Sequence, residues 1–179
     1  MNTSVIHKLA RTVRAIDTFS EWTGRSIAWL TLAMVLVQFI IVVLRYAFDW
    51  NRIYIQEIVV YLHATVFLIG AAYTLKHDGH VRVDIFYREM QPKNKALVNL
   101  FGTLLLLLPT FTFIFWTSWR YVMDSWSILE GSREAGGLPA VYLLKTAILV
   151  MAALMMLQGL AEVLRNLLVL VGHPLEQES

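Results

Sequence analysis

Few side chains in this sequence have both the type and the placement to do chemistry. Its 179 residues include no Cys, which excludes disulfides, thiolate catalysis, Cys-ligated zinc and iron–sulfur clusters. No Walker loop, HExxH, GxSxG or dinucleotide fingerprint occurs, so enzyme chemistry has no evident home. What stands out is polarity in apolar surroundings. Gln38 and His63 lie deep inside long apolar runs, Glu57 opens one run, and Lys145 interrupts another. Hydrocarbon offers such groups no partner, so each must find one in protein or reach water. Glu57 stands about one turn inside its run and Lys145 about two turns inside its own, at the same end. In one reading they pair, with Arg45 nearby, and fix helix packing. In the other, Lys145 snorkels to the headgroups while Glu57 stays hydrated. His63 reads first as a histidine hydrogen-bonded to a neighbouring helix. Haem ligation is its competing role, although His77 and His80 fall in a connection rather than at its depth.

The elements that carry these residues follow from composition. The chain is 58% hydrophobic and only 16% charged, against about 25% charged in soluble domains. A membrane is the solvent that suits it. The formal charge of +2 is too small for a nucleic-acid binder. A spanning helix needs about 20 mostly apolar residues. Residues 26–44, 58–75 and 96–119 supply three such runs without a formal charge, and 138–160 supplies a fourth broken by Lys145. The first run lies behind 25 polar and amphipathic residues and is too long for a signal peptide, so it is expected to stay as an anchor.

Lys and Arg set orientation. Lys8, Arg11, Arg14 and Arg25, with Lys76, Arg82, Arg88, Lys93 and Lys95, place nine on one side. Arg45, Arg52, Arg120 and Arg133 place four on the other. Four spans with both termini cytoplasmic follow. The expected order is a cytoplasmic amphipathic helix over 1–25 and spans over 26–44, 57–75, 96–119 and 138–160. Periplasmic connections cover 45–56 and 120–137, a cytoplasmic connection with a short interfacial piece covers 76–95, and a tail covers 161–179.

Ahead of the first span, Ile6, Leu9, Val13, Ile16, Phe19 and Trp22 recur at steps of three and four, a helical stripe. It suits either a helix lying along the headgroups or one packed on a partner's cytoplasmic surface. Asp78-Gly79 favours a turn, and Pro92 suits the first turn of a helix. Pro109 predicts a kink in the third span. Gly70, Gly102 and Gly159 each permit close helix approach. The fold class is thus all-α, with four transmembrane helices and an N-terminal amphipathic helix.

Two segments carry a family resemblance. RYAFDWNRIYIQEIVVYLHATVFLIGAAYTLKHDGHVRVDIFY has an Arg-aromatic pair closing the first span, an acid opening the second, a Gly-Ala ending and a V-x-V-D segment. SWSILEGSREAGGLPAVYLLK resembles the outer loop and fourth-helix start of small permeases assigned to mannitol or chloroaromatic compounds. Together they resemble the small membrane subunit, DctQ-like, of tripartite ATP-independent periplasmic (TRAP) transporters. The resemblance implies a scaffold for a large multi-spanning permease, which works by a sodium-driven elevator motion. It also implies a periplasmic substrate-binding protein that delivers an organic acid or related solute. Sodium then binds the large subunit, and this chain needs no cofactor. Arg45 and Glu57 match the family's polar positions at the first outer loop; His80, Val81 and Asp84 match its cytoplasmic segment. The chain departs from the commonest pattern in having Gln56 before Glu57, where paired acids are frequent.

The expectation is a non-enzymatic transporter subunit in the lipid bilayer of the bacterial inner membrane. Two alternatives stand beside it. One is a four-helix haem protein using His63; the other is a small homodimeric transporter. Internal repeats and broken midplane helices, common in carriers, are not evident.

Overall fold

A computed structural model describes residues 3–81 and 84–174, with residues 84 and 86 described by backbone alone. Arg82 and the last residues of the expected tail lie outside the described residues, as do Met1 and Asn2. The elements are α1 (Thr3–Phe48), α2 (Ile53–Lys76), α3 (Asp84–Tyr87), α4 (Pro92–Gly102), a π-helical segment (Thr103–Leu107), α5 (Leu108–Ser127) and α6 (Val141–Leu170). No strand occurs among the described residues. Four helices are long and apolar enough to cross a membrane: Thr3–Phe48, Ile53–Lys76, Pro92–Ser127 and Val141–Leu170.

The amphipathic stripe near the N-terminus is helical, but it is not a separate element. α1 runs unbroken for 46 residues, about 69 Å at 1.5 Å per residue. The stretch expected as an amphipathic helix over 1–25 is helical from Thr3 and runs on into the first span without a break. The reason is a heptad seam. Ile6, Leu9, Val13, Ile16, Ser20, Thr23, Ile27, Leu30, Met34, Val37, Ile41 and Leu44 repeat at three and four without a slip, and every one is shielded. The sequence stripe followed Phe19 and Trp22 instead, which are 43% and 67% exposed. The seam runs through Ser20 and Thr23, small polar residues that no hydrophobicity pattern marks.

Pro109 does not break the third span. Its ring crowds the carbonyl four residues back and it offers no N–H. The turn just before it, Thr103–Leu107, widens to π geometry, and the helix continues to Ser127. The widened turn packs on Gly159, where a Cβ would stand 2.7 Å from Leu107 and 3.0 Å from Leu108.

α6 is the central helix, in contact with α1, α2, α4 and α5. Of its most apolar stretch 44% is buried, against 6% for α1 and α2. A small core of Ala72, Leu75 and Met155, joined by Leu107 and Phe111, lies where α2, the third span and α6 meet. α1 crosses α2 at Gly24, whose absent Cβ would lie 2.2 Å from the Tyr73 ring. Gly70 and Gly102 face open space. The Asp-Gly turn closes α2: Asp78 takes φ 52° and Gly79 N–H bonds the Thr74 carbonyl at 2.9 Å.

Candidate functional site

Polar side chains collect at the two ends of the bundle. The end that holds the loop between α5 and α6 is called here the loop end; the opposite one, with both termini, is the terminal end.

At the loop end, Glu57, one turn into α2, accepts hydrogen bonds from the Leu138 N–H at 2.6 Å and from the Ser132 hydroxyl. Lys145 donates to Glu130, and its ammonium stands 4.0 Å from the centre of the Tyr121 ring. The Ser125 hydroxyl donates to the same Glu130 carboxylate at 2.7 Å. The Lys145 ammonium, then that hydroxyl, hold Glu130 below the usual carboxylate range. Trp126 donates its indole N–H to Thr146 at 2.8 Å and meets the edge of Tyr142. Of the two readings of these residues, the direct Glu57–Lys145 pair is not the one formed. Glu130 lies in the connection directly ahead of α6 and reaches Lys145, while Glu57 is taken up by an N–H and a hydroxyl from the same connection. Arg45 is exposed, with its guanidinium 6.0 Å from the Tyr46 ring, and joins neither group.

The terminal end holds a larger network that sequence reasoning missed. Arg165 reaches both carboxylate oxygens of Asp17 at 2.8 Å and also donates to Glu162. Gln158, fully buried, donates to Asp17 at 3.1 Å and accepts from the Ser20 hydroxyl at 2.7 Å. One turn further along α1, Glu21 meets Lys76 at 2.5 Å, His77 at 2.9 Å and Arg25 at 2.7 Å. Hydrogen bonds from Lys76 and then His77 pull the Glu21 carboxyl down to about 2. The signal was present as spacing. Gln158, Glu162 and Arg165 share one face of α6, and Asp17, Ser20 and Glu21 recur at three and four on α1.

Between the two ends the interior carries no charged side chain among the described residues, although Thr103 is buried there and the Tyr61 hydroxyl is buried without a hydrogen-bond partner. Gln38 and His63 are both exposed and point out of the bundle. His63 stacks on Phe67 with ring centres 6.3 Å apart and has no hydrogen bond to any described residue. No helix among the described residues is its hydrogen-bond partner. His80 is exposed in the turn after α2, and Asp84 opens α3, its side chain outside the described residues. The Tyr87 hydroxyl accepts from Asn99 at 2.9 Å and ties α3 to α4.

These contacts lock helix ends together. Among the described residues no three His, Asp or Glu side chains converge as a metal site would require, and the charged groups that pair across helices form two separate clusters. The two clusters fasten α1, α2, α6 and the loop between α5 and α6, which suits a structural membrane component. A family described as Tripartite ATP-independent periplasmic transporters, DctQ component, matches residues 34–169, well over half of the chain. No curated protein and no solved structure matches it. The chain is thus a multi-pass membrane component of a transporter rather than an enzyme, and it belongs to the DctQ family, the small membrane component of TRAP transporters.

Proposed function

We propose that this subunit is a scaffold: it braces the large permease, which moves an organic acid or related solute by a sodium-driven elevator motion after a periplasmic binding protein delivers it. One observation carries the reading. The charged side-chain contacts among the described residues sit at the two ends, and Gln38 and His63, within the spans, face outward, so no charged side chain lines the interior between the two ends. A rigid outer surface is what remains for it to offer. Sodium then binds the large subunit, and this chain works without a cofactor. Nine Lys and Arg against four support cytoplasmic termini in the inner membrane.

Reconstitution tests this. Proteoliposomes holding both membrane subunits, supplied with the binding protein loaded with an organic acid, are expected to take it up when a sodium gradient is applied. Vesicles holding this chain alone, or the large subunit alone, are expected to take up none. Uptake by this chain alone would sink the proposal, and so would full uptake by the large subunit without it.

A further inference from the structure

α2 packs against α1 and α6. Between Glu57 and Lys76 its exposed residues are Val60, His63 and Phe67. They recur at three and four, and Gly70 and Thr74 continue the same line, so α2 carries a second heptad seam, and no described helix is seated on its exposed residues Val60, His63 and Phe67. We propose that this seam receives a transmembrane helix of the large permease subunit, and that a polar side chain of that helix hydrogen-bonds His63. The inference rests on the scaffold reading and names the face on which it acts.

Three observations select this occupant. His63 lies six residues beyond Glu57, about 9 Å into the membrane along the helix axis. Its ring nitrogens have no hydrogen-bond partner in the described chain, and lipid tails offer neither donor nor acceptor. A protein neighbour with a polar group satisfies the ring at that depth, and lipid does not. Gly70 supplies shape: nothing stands within 4 Å of where its Cβ would be, which leaves a notch in line with His63 for a bulky side chain. The third span offers the contrast. Its most exposed residues Leu105, Leu106, Phe113 and Trp116 are 67–80% exposed and apolar or aromatic, and the exposed Thr112 and Thr117 hydroxyls between them already donate within the chain, to Met156 and to the Phe113 carbonyl, so this surface leaves no ring nitrogen unsatisfied as α2 does. A second copy of this chain fits less well, because two-fold symmetry sets Phe67 against Phe67 and notch against notch.

The absence of Cys makes the test clean. Val60→Cys and Phe67→Cys, with Phe113→Cys and Trp116→Cys as comparators, are each placed in the full chain and carry a thiol-attached photo-cross-linker. Each is co-expressed with the large permease subunit from the same genome, and co-purification of the unsubstituted chain is scored first. Adducts of the combined mass are expected from the two α2 positions, at least about tenfold above those from the third span. Gly70→Leu is expected to cut co-purification by about tenfold while the chain alone elutes unchanged, since the residue fills open space. Co-purification with adducts equal on both faces, or strongest from the third span, overturns the face and leaves the scaffold reading standing. Adducts of twice the chain's own mass from α2 overturn it in favour of self-association. Failure to co-purify at all removes the scaffold reading and this inference with it.

Discussion

Glu21 is a single carboxylate that serves three cations, and its position decides how α1 and α2 are joined at the terminal end. Its pKa is depressed to about 2 in the folded chain from an ordinary 4.5. A group shifted downward stabilises the fold above its unfolded value, and that contribution disappears as pH falls through the folded value. The clasp is thus intact at neutral pH and weakens between about pH 4.5 and about pH 2. The thermal midpoint of the detergent-solubilised chain is expected to drop across that window more steeply than that of Glu21→Gln. Parallel curves for the two would show that the clasp contributes nothing. At this scale the sequence was legible in part. That Glu57 and Lys145 needed partners followed from their depth; which partners they took did not. Glu130 and Ser132 sit in a connection without periodicity, and only the folded loop shows that they reach Lys145 and Glu57.

At the scale of elements, the four spans were readable because a helix in lipid must be apolar over a fixed length. Their contacts were less so. The heptad seam of α1 crosses from polar into apolar sequence without interruption, and hydrophobicity alone divides it at residue 25. Glycine roles were similarly hidden. Gly24 was unremarked, yet it is where α1 crosses the Tyr73 ring, whereas Gly70 has open space around it. A methyl at Gly24 meets the Cγ and Cβ of Tyr73, which cannot swing aside as a side-chain tip could. Gly24→Ala is therefore expected to destabilise the isolated chain by about 1–3 kcal/mol, the usual effect of overpacking. Gly70→Ala is expected to leave it unchanged. Thermal unfolding of both variants in detergent checks this, and equal midpoints would show that the α1–α2 crossing is looser than the Gly24 contact implies.

Over the whole molecule, length and charge combine into an orientation. α1 is about 69 Å long and the hydrocarbon about 30 Å thick, so a large part of α1 stands outside. The arrangement of contacts says which part. Asp17, Ser20 and Glu21 make polar contacts near the terminal end, while Leu32, Val35, Leu36, Phe39 and Ile40 are apolar and exposed. The membrane therefore surrounds the second half, and the first half projects from one face with Lys8, Arg11, Arg14 and Arg25. Basic residues are held on the cytoplasmic side, so the orientation we propose has the projecting half pointing inward and the loop between α5 and α6 pointing outward. Ala15 and Ala135 are exposed at these two extremes, and the chain has no Cys to compete for label. A membrane-impermeant maleimide is expected to label Ala135→Cys in cells whose outer membrane alone is opened. Ala15→Cys is expected to react only after the inner membrane is lysed. The opposite pattern would invert the subunit, and the loop held by Glu57 and Lys145 would then face the cytoplasm, away from any periplasmic protein.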